Sequence, residues 1–89
     1  MVIDKKKIIT NICYTELVYG RINKKLKVHY SKNEIEELIF NLLKNTSEID
    51  YSRVGKNYYI TNIAKNIRVT VNSNTYRVIT VDRLKEETL

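Results

Sequence analysis

Apolar and polar residues alternate along residues 66–82 on either side of a turn at Asn72 to Thr75, which is the pattern of a β-hairpin. A turn built from Ser73-Asn74, or from Asn72 to Thr75, sets Val71 opposite Tyr76, Val69 opposite Val78 and Ile67 opposite Thr80. Those pairs make one apolar face. The period of two then turns Arg68, Thr70, Arg77 and Ile79 to the other. Upstream, Val54 to Thr61 is rich in aromatic and β-branched residues and reads as a further strand, with Asn62 to Asn66 as the turn between. If Thr61 pairs with Ile67, Tyr59 joins the apolar face and Tyr58 lies outside beside Arg68 and Thr70. A one-residue change in loop length exchanges the two tyrosines.

The period lengthens in the first half of the chain. Ile8, Ile9, Ile12 and Cys13 recur at helical spacing behind Asp4, a candidate N-cap. Thr15 is placed to cap a second segment from Glu16 to Lys27, in which Val18, Ile22 and Leu26 share a face and Gly20 costs roughly 1 kcal/mol relative to Ala. One bent helix or two both fit residues 4–27. Ser31 and Glu34 form a capping box, with Tyr30 and Ile35 as its hydrophobic staple, and Ile35, Leu38, Ile39 and Leu42 continue as an apolar stripe to about Asn45. The expected fold is α+β: two or three N-terminal helices (4–46) packed on a three-stranded antiparallel β-meander (54–83), in one small domain spanning 1–89. Its expected core is Ile12, Ile22, Leu38, Ile39, Leu42, Ile67, Val69, Val71, Tyr76 and Val78.

Composition narrows the class. A chain of 89 residues with 43% hydrophobic and 29% charged residues has the balance of a folded domain, not of a disordered one. The net charge of +6 is segregated: residues 1–31 carry seven basic and two acidic side chains, 32–50 two and five, and 51–83 six and one. Basic surfaces on the N-terminal segment and the sheet are thus separated by an acidic helix, which suits either solubility or a polyanionic partner. Cys13, the single cysteine, excludes an internal disulfide, and its apolar neighbours Ile9 and Ile12 imply a buried thiol in a reducing compartment, the cytoplasm. No apolar run reaches the length of a membrane span or of a signal-peptide core.

The usual catalytic constellations are thin. With His29 the sole histidine and Cys13 the sole cysteine, no cluster has zinc spacing and a Cys-His or Ser-His-Asp site hangs on one residue. Gly20 and Gly55 are isolated, which excludes a glycine-rich phosphate loop, so no cofactor is expected. Glu34, Glu36 and Glu37 are accounted for by the capping box and the helix dipole.

Three stretches, Tyr14-Thr-Glu-Leu-Val-Tyr-Gly-Arg-Ile-Asn-Lys-Lys-Leu26, Gly55-Lys-Asn-Tyr-Tyr-Ile-Thr-Asn62 and Asn66-Ile-Arg-Val-Thr-Val-Asn-Ser-Asn-Thr-Tyr-Arg-Val-Ile-Thr-Val-Asp-Arg-Leu84, resemble a family of short bacterial proteins known only as a domain of unknown function. The likeness covers nearly the whole chain and brings no assigned catalytic or binding residue. Helices followed by a meander in a small basic chain are also similar in architecture to the ribonuclease toxins of bacterial toxin–antitoxin pairs, which use Arg, Lys and Tyr; this chain departs from them in lacking a clear N-terminal strand.

The expected function is binding, not catalysis. Lys56, Tyr58, Arg68, Arg77 and Arg83 are the candidate nucleic-acid-binding residues, combining charge for phosphates with a ring for stacking on RNA or a single strand, although no RNP-like signature is present. The alternatives are a toxin-type ribonuclease drawing on the same side chains, and a small protein inhibitor, phage or mobile-element derived, that docks an acidic protein. Neither a membrane nor a metal is expected as a partner.

Overall fold

The computed structural model describes residues 3–85. Three helices, α1 (Lys5–Asn11), α2 (Glu16–Leu26) and α3 (Lys32–Asn45), precede a short 3₁₀ turn (Glu48–Asp50) and four strands, β1 (Tyr51–Val54), β2 (Asn57–Asn62), β3 (Ile67–Asn72) and β4 (Val78–Arg83). The strands pair in chain order as an antiparallel meander. The α+β class holds, with four strands in place of the expected three. The additional strand arises because Val54 to Thr61 is not one strand. Gly55 takes φ +60 at the first position of a two-residue turn, a conformation that favours glycine, and folds Tyr51–Val54 back on Asn57–Ile60.

Residues 4–27 form two helices, not one. Asp4 accepts from the Lys7 amide at 3.0 Å to start α1, and the chain is already extended at Ile12. Cys13 then lies beside the start of β4: its amide donates to the Tyr76 carbonyl and its carbonyl accepts from the Val78 amide, both at 2.9 Å. Extended backbone alternates sides, so Ile12 and Tyr14 pack against the core while Cys13 is exposed. The expectation of a buried thiol is therefore corrected. The predicted capping box is formed: Ser31 Oγ accepts from the Glu34 amide at 3.2 Å and Glu34 Oε1 from the Ser31 amide at 2.9 Å, which holds the Glu34 carboxyl below its ordinary range.

The C-terminal carbonyls of α3 need partners beyond the helix ladder, and side chains of its own C-cap, of α1 and of β1 supply them. Lys5 Nζ donates to the carbonyls of Lys44 at 2.9 Å and Thr46 at 2.6 Å, Tyr51 Oη to that of Leu43 at 2.6 Å, and Thr46 Oγ1 to that of Leu42 at 2.6 Å. The end of α3 is thereby tied to α1 and β1. Between the helices and one sheet face lies a core that includes Ile8, Val18, Ile22, Ile35, Ile39, Leu43, Ile60, Val69, Val71, Val78 and Val81. Of the expected core, Ile12, Leu38 and Tyr76 pack at its margin.

Two registers differ from the sequence-based pairing. Thr61 pairs with Arg68, and Asn62 with Ile67, because the turn is the four residues 63–66 with Asn66 at φ +60. Between β3 and β4 the partners are Val71–Val78, Thr70–Thr80, Val69–Val81 and Ile67–Arg83, not Val71–Tyr76, Val69–Val78 and Ile67–Thr80. The loop is longer than four residues because Asn72 Oδ1 gathers the amides of Asn74 and Thr75 at 2.8 and 2.9 Å and Tyr76 adopts φ +60. A bulge beside Thr70/Val71 then leaves Ile79 unpaired and reverses the alternation beyond it.

Candidate nucleic-acid interface on the open sheet face

The sheet face away from the helices carries the positions one step out of phase with the core. Along β2 these are Asn57, Tyr59 and Thr61, along β3 Arg68, Thr70 and Asn72, and along β4 Thr80 and Asp82. Tyr59 stands between Ser52 of β1 and Thr70 of β3. Its half-exposed ring lies over the middle of the sheet, and Thr70, only 5% exposed, is enclosed by its neighbours. Asn57 Nδ2 reaches Tyr59 Oη at 3.5 Å and Arg68 Nε reaches Thr61 Oγ1 at 3.4 Å, both long contacts that leave hydrogen-bonding capacity on the surface.

Arg68 faces Asp82 across the β3–β4 pairing, yet Asp82 is bound elsewhere, with its Oδ1 3.0 Å from Lys25 Nζ of α2. Among the described residues neither Arg68 nor Arg77 forms a salt bridge. Arg77 is exposed, joined through its carbonyl to the Asn72 amide at 2.9 Å, which sets it about 13 Å along the strand direction from Arg68. Lys56 is exposed at the β1–β2 turn, and its carbonyl accepts from the Ser73 amide at 2.7 Å, so this turn and the β3–β4 loop share one end of the sheet. Lys56, Arg68 and Arg77 therefore lie on or at the rim of one open face.

The other two candidates lie apart from it. Tyr58 pairs with Val71 and faces the helices, with the Arg53 guanidinium 6.0 Å from its ring centre, so its expected place beside Arg68 is corrected and Tyr59 stands there instead. The difference is the single residue of turn length between Thr61 and Arg68. Arg83 is turned inward by the bulge, pairs with Ile67, and donates from Nη2 to the Leu26 carbonyl at 3.2 Å. Sequence periodicity allowed either tyrosine on the outer face, and the four-residue turn with Asn66 at φ +60 selects Tyr59.

A separate cluster of titratable groups joins α2 to α3. Tyr14 and Tyr19 stack with ring centres 5.5 Å apart, Tyr19 Oη donates to Glu36 Oε2 at 2.9 Å, and Lys32 lies over the Tyr19 ring while pairing with Glu16 at 2.7 Å. Desolvation first, and then the Glu36 bond, pushes the Tyr19 phenol up to about 12. Burial raises Tyr14 as well, and its Oη is enclosed without a protein partner. The arrangement keeps phenols protonated and fastens two helices. Among the described residues no group of three or more His, Cys, Asp or Glu side chains is placed to hold a metal, and no helix is long and apolar enough to cross a membrane.

A protein-family model described as Protein of unknown function (DUF3781) matches residues 6–82. No curated protein and no solved structure matches the chain.

Proposed function

We propose that this chain, which belongs to the DUF3781 family, is a cytoplasmic nucleic-acid-binding module whose open sheet face takes single-stranded RNA or DNA. The observation that carries the reading is the pairing of an outward ring with a cation that has no ion pair among the described residues: Tyr59 stands over the sheet, and Arg68, one strand away, has its opposing acid engaged by Lys25. A base stacks on any aromatic face, while a guanidinium takes a phosphate in a bidentate grip, and a sheet holds the two at fixed spacing. Lys56 and Arg77 at the end of the sheet extend the positive path along which a backbone would run. The ribonuclease alternative drew on Tyr58 together with the arginines, and Tyr58 lies on the opposite side of the sheet.

The test is fluorescence anisotropy with a labelled single-stranded oligonucleotide across a salt series. Binding should weaken steeply with salt. Arg68→Ala should lower the slope of log affinity against log salt by about 0.7, and Tyr59→Ala should remove about 1–3 kcal/mol of binding. Tyr58→Ala should lower thermal stability and leave the affinity of the folded protein in place. Salt-independent binding, or none, overturns the reading; a stoichiometric protein partner that survives nuclease treatment would transfer the face to the inhibitor alternative.

A further inference from the structure

We propose that the solvent side of α2, with Gly20 at its apex, is a second seat for the phosphate backbone of the same nucleic acid. Val18, Ile22 and Leu26 bury the inner side of α2. At about 100° per residue, Gly20 and Lys24 fall on the opposite side with Leu17 beside them, and Lys27 follows at the left-handed C-cap. Arg21 and Lys25 stand on the shoulder toward β4: Arg21 Nη1 donates to the Ile79 carbonyl at 3.3 Å, and Lys25 Nζ pairs with Asp82.

One of these residues is a poor choice for a helix side that merely faces water. Gly20 has an ordinary helical backbone, and a Cβ built there would meet nothing within 4 Å, so glycine is required neither by conformation nor by packing, yet it weakens the helix by about 1 kcal/mol relative to alanine. Positions that break a local folding rule without local compensation mark function. The missing side chain leaves an open depression lined by Gly20, Arg21, Lys24 and Lys25, in which a phosphate would meet the cations of its rim with no side chain at its floor.

The charge complementarity specifies a polyanion. The acids nearest in sequence and space are already matched, Glu16 by Lys32 and Asp82 by Lys25, whereas Lys24 and Lys27 form no ion pair among the described residues. Because α2 lies along β4, the outer strand of the open face, a backbone crossing Tyr59 and Arg68 meets the α2 depression on passing that edge. The ligand class rests on the sheet-face reading; the seat itself rests on the residues of α2.

Amide chemical-shift mapping on the full chain separates the two surfaces, with a short oligouridine and inorganic polyphosphate as probes. Both probes should move the amides of Gly20, Arg21 and Lys24. Gly20→Leu, which fills the depression, and Lys24→Gln should each weaken polyphosphate binding about threefold or more, while thermal stability is kept or, for Gly20→Leu, raised. Movement at α2 with Tyr59 and Arg68 unmoved by oligouridine supports the α2 seat and removes the sheet reading. Movement at Tyr59 and Arg68 with α2 unmoved by either probe overturns the α2 seat and keeps the sheet reading. No movement at either surface overturns both, and unchanged affinity in the two variants overturns the α2 seat.

Discussion

The Lys5 ammonium lies 2.6 Å from the Thr46 carbonyl oxygen, so the first helix of the chain caps the last turn of the third. A charged donor on a helix C-terminus is favoured twice, by the hydrogen bonds it gives to orphan carbonyls and by the negative end of the dipole. Lys5→Ala should cost about 1–2 kcal/mol in urea unfolding, more than Lys6→Ala, whose side chain is exposed. Equal effects of the two substitutions would show that the cap contributes nothing.

Alkaline pH should destabilise the fold through its tyrosines. Burial, reinforced by Glu48, raises the Tyr51 phenol well above its ordinary range; burial and then Glu36 raise Tyr14, and Tyr19 stands at about 12. Unfolded phenols ionise near pH 10, so above that pH the unfolded chain binds fewer protons than the folded one and stability falls. The contribution is complete below about pH 10 and is lost as pH rises through the folded values. Unfolding free energy measured from pH 8 upward should hold level and then decline. Tyr51→Phe should lose about 1 kcal/mol at neutral pH, from the bond to Leu43, and flatten part of the decline.

Cys13 should react as an exposed thiol. It is exposed, and its Sγ lies 3.5 Å from the Thr75 carbonyl. A chromogenic disulfide reagent should titrate one thiol per folded chain at a rate close to that in denaturant. A reaction slowed by orders of magnitude in the native protein would restore the buried placement implied by Ile9 and Ile12.

Gly55→Ala should destabilise by roughly 1–2 kcal/mol, because φ +60 brings an alanine Cβ against its own backbone although no neighbour is in the way. Thermal denaturation gives the size. A neutral result would mean that the β1–β2 turn relaxes without loss of β1.

Local chemistry was legible in the sequence wherever one or two residues decide a feature. Ser31 and Glu34 specify the start of α3, and the apolar stripe that follows is buried at Ile35, Ile39 and Leu42 and partly buried at Leu38. The sheet was legible in class but not in count or phase. The sequence pattern places Gly55 inside a strand because its aromatic and β-branched neighbours outweigh one turn residue. Tyr58 and Tyr59 exchanged faces on one residue of loop length, and the bulge at Ile79 placed Arg77 and Arg83 on different sides although strict alternation puts them together. The period of two is exact, so a single inserted residue inverts everything beyond it. The α2 surface went unread because its signal is a side chain that is missing from Gly20, and one glycine in a helical pattern has no periodicity.

The bridge at Cys13 also sets an order of events. It joins Cys13 to Arg77 across 64 residues, so closing it costs more loop entropy than any turn of the meander, and the neighbouring strand pairs are the easier ones to form. Until that loop closes, the start of β4 keeps an unpaired outer edge, with the Tyr76 carbonyl and the Val78 amide left to water.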